Sequence, residues 1–217
     1  MSTRMGRKKE LLPFRGRPLL LVAAECLLGM GYDVYLLASP RDADRISAVA
    51  GGRFRVLIDK YDLSTPLNGL RSLLDAANGC AFLLGGDSPF VSRGLIEDSL
   101  DLCERGFQAV LPMWAGGRVD TVHAAYSSSL LGPLEDMLSR RSPDLSMARL
   151  ISSASPIAFL EAERYWPALG DADTAMEMSI LERMYNGRGC ALARGPRAGP
   201  GAGSGGRLAS ASGRARG

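Results

Sequence analysis

Arg4, Gly6 and Lys9 open the chain within Ser2-Thr3-Arg4-Met5-Gly6-Arg7-Lys8-Lys9, which runs directly into the apolar-rich Glu10-Leu-Leu-Pro-Phe-Arg-Gly-Arg-Pro18-Leu-Leu. Two cations five positions apart on one loop reach the same phosphate groups from two sides, and Gly6 lets backbone N–H groups approach them closely. A second element is Gly85-Gly86-Asp87-Ser88-Pro89-Phe90, following the apolar burst Cys80 to Leu84. A carboxylate leaving a buried strand, in a turn stiffened by proline, suits a hard cation such as magnesium. The alternative for Asp87 is an Asx-turn or the cap of the helix that follows Ser92. Together these features describe phosphoryl chemistry, in which charge neutralisation and in-line placement matter more than a protein nucleophile.

Such residues need a frame, and the hydrophobic pattern supplies one. Asp33 to Ala38, Phe54 to Ile58, Cys80 to Leu84 and Ala109 to Met113 are short branched-chain bursts that predict buried strands. Helical spacing predicts helices over Pro18 to Met30, Leu67 to Ala77 and Leu95 to Arg105, with further helices at Leu130 to Leu138, Asp144 to Ser152 and Thr174 to Tyr185. Strands alternating with helices predict a three-layer α/β/α sandwich with a mostly parallel, Rossmann-like sheet, whose ligands bind beyond the carboxyl ends of the strands. The Asp87 motif, directly after the burst Cys80 to Leu84, falls at such a place.

Composition limits the alternatives. With 217 residues and 46% hydrophobic content, one core is expected, over residues 1–185. From Asn186 onward Gly, Ala, Ser, Pro and Arg dominate without apolar periodicity, which predicts a disordered, solvated tail over 186–217 or an electrostatic tether. The net charge of +3 comes from six tail arginines, so the remaining 20 basic against 23 acidic residues argue against a nucleic-acid footprint. No apolar stretch reaches the roughly 18 residues of a membrane span. Cys26, Cys80, Cys103 and Cys190 are scattered without a Cys-x-x-Cys pair, which predicts reduced, mostly buried thiols and a cytoplasmic location.

The order of these motifs resembles that of the nucleotidyltransferases related to molybdenum cofactor guanylyltransferase, from about Met1 to Tyr185. Ser-x-Arg-Met-Gly-x-x-Lys is the opening signature of those enzymes, and Asp87-Ser-Pro-Phe90 matches their Asp-x-Pro-Phe. Thr65-Pro66-Leu67-Asn68-Gly69 resembles their Gly-Pro-Leu-x-Gly loop, and His123-Ala-Ala-Tyr126 with Leu130-Leu-Gly-Pro-Leu-Glu135 resembles another shared segment. The resemblance implies a nucleotide-binding α/β sandwich that transfers GMP from GTP to molybdopterin carrying molybdenum, releasing pyrophosphate and forming the guanine dinucleotide cofactor. Related enzymes use CTP or another phosphate acceptor, including sugar phosphates.

It further implies catalytic roles for Arg4, Lys9 and Asp87 and nucleotide binding by Gly6, Lys9, Asp59, Pro66, Leu67, Gly69 and Asp87. Asp87 and Asp173 would hold Mg2+, GTP and molybdopterin would be the small-molecule substrates, and a molybdoenzyme or cofactor-pathway protein would be the partner. Asp62 is the alternative to Asp59, and Asp173 equally fits the cap of the last helix, with Glu177 in its first turn. His123, the single histidine, is either catalytic or a residue lining the acceptor side of the cleft, with Val122 and Ala124 packing inward.

Several positions depart from the pattern. Lys8 stands where those enzymes usually have Asp, Thr65 replaces a Gly, and Asp173, Ala175 and Glu177 stand for Asn, Pro and Asp. The strand and glycine pair that precede the opening motif in those enzymes are not in this sequence, which leaves an empty central position in the sheet with two unpaired neighbouring edges. Two expectations follow: a working nucleotidyltransferase read from an internal Met, or a non-catalytic relative that binds nucleotide weakly or a protein partner.

Overall fold

A computed structural model describes residues 11–166, 168–169, 179–180 and 182–183, together with the backbone of 208–212. The chain opens with a small antiparallel hairpin, β1 (Pro13–Phe14) and β2 (Arg17–Pro18). Its two turn residues, Arg15 and Gly16, have φ of 49° and 79°, the left-handed pair that a tight twisted hairpin requires. The hairpin hands the chain directly to α1 (Leu19–Gly29), with Leu19 N–H donating to Leu12 O at 3.0 Å. Nearly every side chain of α1 is buried, so this helix lies against the sheet rather than at its margin.

The main sheet follows from alternation. In β3 (Asp33–Ala38), Val34, Leu36 and Ala38 join one core cluster while Tyr35 and Leu37 join another, as a period of two demands. The first cluster also takes α1, α2 (Ala43–Ala50) and α4 (Arg93–Glu104); the second takes α3 (Pro66–Ala77), α5 (Leu131–Ser139) and α6 (Met147–Ser153). Helices therefore cover both faces, and the three-layer α/β/α arrangement expected from the sequence is the observed one. Each fully buried leucine, such as Leu36, Leu70 and Leu111, contributes about 1.5–3 kcal/mol relative to exposure.

The remaining strands are β4 (Arg55–Ile58), β5 (Cys80–Gly85), β6 (Ala109–Met113), β7 (His123–Ser127), β8 (Ile157–Glu161) and β9 (Leu208–Ser212). Their order across the sheet is β4-β3-β9-β5-β7-β6-β8. All neighbours are parallel except β7, which runs antiparallel to both β5 and β6. Strands β7 and β8 and helix α2 were not foreseen. His123–Ser127 is short and rich in Ala and Ser, so its pairing more than its propensity makes it a strand, whereas Ile157–Glu161 is a short apolar burst that the sequence reading passed over.

Two expectations are overturned. Leu208–Ser212 falls within the segment whose composition predicts a disordered tail, yet it forms the strand between β3 and β5, parallel to both. It lies in the middle of the sheet, where β3 and β5 give its backbone partners on both sides. The reduced-thiol reading also fails: Cys80 and Cys103 form a disulfide with Cα atoms 6.0 Å apart, and Cys26 is disulfide-bonded too. Cys80 begins β5 and Cys103 lies in the last turn of α4, so the strand–helix unit brings its own ends together, a proximity that linear spacing conceals. No helix among the described residues is long and apolar enough to cross a membrane.

Candidate functional site

The carboxyl ends of β4 and β5 supply the site's two loops. Strand β5 ends at Gly85, and a turn closed by Ser88 N–H on Gly85 O at 3.3 Å carries Asp87 at its tip. Asp87 is half-buried while Gly86, Ser88 and Pro89 around it are buried. The capping task that was the alternative for Asp87 is performed by Ser92, whose Oγ accepts from Leu95 N–H at 3.2 Å at the start of α4. A Cβ built on Gly85 would lie 3.1 Å from Asp87 Oδ1 and 3.6 Å from His123 Cε1, so the missing side chain makes room for the carboxylate.

Beneath this turn lies a buried polar chain. Antiparallel pairing sets His123 opposite Leu84, the last residue before Gly85. The His123 ring makes a 2.8 Å hydrogen bond from Nδ1 to Asp120 Oδ2 and a 3.0 Å contact from Nε2 to Ser88 Oγ. A carboxylate only accepts, so Nδ1 carries the hydrogen; in the neutral ring Nε2 then accepts from the Ser88 hydroxyl. Asp120 Oδ1 accepts in addition from the backbone N–H groups of Val122 and His123, at 2.9 and 3.1 Å. His123 has no exposed surface, so it underlies the Asp87 turn and does not line the cleft as expected; Ala124 packs inward as anticipated.

The second loop runs from Asp59, after β4, to the start of α3. Thr65 is the helix cap, its Oγ1 accepting from Leu67 N–H at 3.3 Å and donating to Leu145 O at 2.7 Å. Its φ of −145° is extended backbone open to any residue, so Thr in place of Gly introduces no strain. Pro66 occupies the first helical position, where its missing N–H costs nothing. Leu67 and Gly69 are buried, which makes them packing residues of the helix start. Asn68, fully buried, donates to Tyr61 O and Leu63 O and accepts from Tyr61 N–H, clamping the loop onto α3. Asp59 is buried with Oδ1 3.4 Å from the Ser72 hydroxyl, whereas Asp62 is exposed and paired with Arg41 at 2.7 Å.

Outside this loop stands Glu135 of α5, which accepts from Lys60, from the Tyr61 hydroxyl and from Arg71 Nε at 3.0 Å. These donors, Lys60 first and then Tyr61, hold its carboxyl down at about 2. The cluster ties loop, α3 and α5 into one support.

The structure thus brings Asp59, Pro66, Leu67 and Gly69 to one strand end and Asp87 to another. Arg4, Gly6, Lys9 and Asp173, with Thr174 and Glu177, lie outside the described residues. Sequence reasoning passed over Ser88, Asp120, Asn68 and Ser72. The one available signal was the Asp120-x-x-His123 spacing, in which a short carboxylate can bind backbone N–H groups two and three residues on. No group of three or more His, Cys, Asp or Glu among the described residues forms a protein-only metal cage. One or two carboxylates sharing a cation with substrate phosphates is the arrangement magnesium favours, and among the described residues Asp87 is the half-buried carboxylate at the tip of the turn after β5.

A mostly parallel sheet with helices on both faces and functional loops at its carboxyl edge is the doubly wound arrangement that binds ligands beyond the strand ends, and the match to a family of NTP transferases makes this one a nucleotidyltransferase. The chain belongs to the MobA-like NTP transferase domain family, whose model matches residues 1–156. It is 28% identical over 156 residues to a protein of Thermococcus gammatolerans named probable molybdenum cofactor guanylyltransferase, covering 70% of this chain and 78% of that one. Among solved structures it is similar to molybdopterin-guanine dinucleotide biosynthesis protein A from Archaeoglobus fulgidus, with a TM-score of 0.72 at 16% identity over 85% of this chain and 93% of that one. It also shares its fold with Rv0371c of Mycobacterium tuberculosis in complex with manganese, with a TM-score of 0.51 at 21% identity over 72% and 82% of the two chains.

Proposed function

We propose that the chain transfers a guanylyl group from GTP to the phosphate of molybdopterin carrying molybdenum, forming the guanine dinucleotide cofactor and releasing pyrophosphate. The observation that carries this reading is the placement of Asp87, held at the carboxyl end of β5 by a closed turn while Ser92 takes over the helix cap. The names of the related proteins support the choice of GTP and molybdopterin.

In this reading the acceptor phosphate oxygen forms a bond to the α-phosphorus of GTP as the bond from that phosphorus to the bridging oxygen breaks, and pyrophosphate leaves with the electron pair. No protein nucleophile takes part. Arg4 and Lys9 bind and neutralise the triphosphate, with Gly6 admitting the backbone, and Asp59 at the root of its loop takes the base side. Asp87, with Asp173, would hold a magnesium ion, which when bound supplies charge neutralisation on the phosphate oxygens. The Cys80–Cys103 bond removes the thiol argument for a cytoplasmic location, which rests on the GTP donor alone.

The test is metal-dependent pyrophosphate release from GTP, CTP and ATP with molybdenum-loaded molybdopterin as acceptor. Release with GTP that disappears in Asp87→Ala and Lys9→Ala supports the reading. Preference for CTP reassigns the base, and silence with all three nucleotides sinks the proposal.

A further inference from the structure

The chain Asp120–His123–Ser88 follows the hydrogen-bond order of a hydrolytic triad, but its burial rules out that chemistry. Ser88 and His123 have no exposed surface, so a substrate carbonyl cannot reach Ser88 Oγ. Burying three polar side chains in an otherwise apolar layer is costly unless every bond is made. Here the bonds are made, and they lead somewhere specific. Asp120 is anchored to backbone through Val122, His123 and its own N–H on Pro112 O at 2.9 Å. The last link, Ser88, is the residue directly after Asp87.

We propose that Asp120, His123 and Ser88 are positioning residues for Asp87: the buried chain fixes the turn 85–88 and thereby aims the Asp87 carboxylate at the cation and nucleotide. Three observations converge on this role. The Leu84–His123 pairing sets the imidazole against the strand end from which the turn springs. Asp87 Oδ1 and His123 Cε1 both face the space over Gly85, at 3.1 and 3.6 Å from where its Cβ would be. Ser88 joins the turn twice, through its N–H on Gly85 O and its hydroxyl on His123 Nε2 at 3.0 Å. A ligand carboxylate has to be held within about 0.5 Å and 10–20° of its working geometry, and partners behind the ligand commonly change metal affinity by about 10- to 100-fold.

The inference rests on the reading of Asp87 as the metal-binding carboxylate, and the test separates the two. With the full chain and GTP present, Mn2+ binding is measured by electron paramagnetic resonance for wild type, Ser88→Ala, His123→Asn and Asp87→Ala, alongside melting temperatures and the split of kcat from the KM for metal. His123→Asn keeps a donor for Asp120 and removes the contact to Ser88; Ser88→Ala removes the hydroxyl alone and carries the test if His123→Asn does not fold. The expected result is Mn2+·GTP affinity weakened by about tenfold in Ser88→Ala in a folded protein, with the KM for metal rising in step. Unchanged Mn2+·GTP affinity in Ser88→Ala, with only a lower melting temperature, overturns the positioning role. Wild-type Mn2+·GTP binding in Asp87→Ala overturns the underlying metal assignment, whatever the other variants do.

Discussion

Gly85 pairs with Ser212 across parallel strands, and Ser212 pairs in turn with Leu37, so the middle of the sheet is supplied from the far end of the sequence. The strand that stands beside the root of the Asp87 turn is therefore encoded more than 100 residues away from it. This relationship makes the C-terminal segment part of the site's foundation.

Deleting residues 207–217 is accordingly expected to abolish cooperative unfolding, because it exposes the edges of β3 and β5 in the centre of the sheet. The milder Ser210→Pro removes one backbone donor from a strand flanked on both sides and should lower the melting temperature sharply. Circular dichroism melts decide the matter: a deletion variant that melts like wild type would show that the sheet does not depend on Leu208–Ser212.

Gly85→Ala is expected to leave the fold in place but push the Asp87 carboxylate aside, since the new methyl would meet Oδ1 at 3.1 Å. The carboxylate has to give by a few tenths of an ångström, less than the roughly 1 Å misplacement that costs about 100-fold in rate. Nucleotide transfer should fall by up to about tenfold with little change in melting temperature. Full activity in Gly85→Ala would remove Asp87 from the working centre.

Glu135 couples stability to acid. Its carboxyl is held at about 2, below its ordinary 4.5, by Lys60, Tyr61 and Arg71. A lowered folded-state value means that the stabilisation is complete above about 4.5 and is lost as pH falls from there toward about 2. The half-exposed setting keeps the effect small through solvent screening. Urea unfolding from pH 5 downward should show a shallower acid loss in Glu135→Gln than in wild type; parallel curves would mean that the cluster carries no linkage.

Thr65→Ala removes the cap of α3 and strands the Leu145 carbonyl at once. About 1 kcal/mol is expected from the cap, with up to a comparable amount, about 0.5–1 kcal/mol, from the lost part-buried hydrogen bond. Thr65→Ser retains the hydroxyl and should recover most of it. Urea midpoints at neutral pH compare the three, and an unaltered midpoint in Thr65→Ala would show that the loop is held by Asn68 and Glu135 alone.

Local chemistry written in consecutive residues was legible without coordinates. The bursts Asp33–Ala38 and Ala109–Met113 are strands over the bounds their continuous apolar runs predict, because a buried strand must be apolar on both faces. The helix start at Thr65-Pro66 and the turn at Gly85–Asp87 likewise follow from backbone preferences of single residues, and the family follows from the order of such motifs. What the tertiary structure alone decided are relationships between segments that no local rule connects. Leu208–Ser212 carries no strand signal of its own and is a strand through its pairing with β3 on one side and β5 on the other. Cys80 and Cys103 meet because a strand and its helix run antiparallel to each other in space. Ser88, His123 and Asp120 form one chain because β7 alone in its sheet turns back against β5, which sets a histidine under a turn lying 35 residues earlier. Propensity and periodicity act over a few residues, whereas pairing and burial are settled only when the whole core closes.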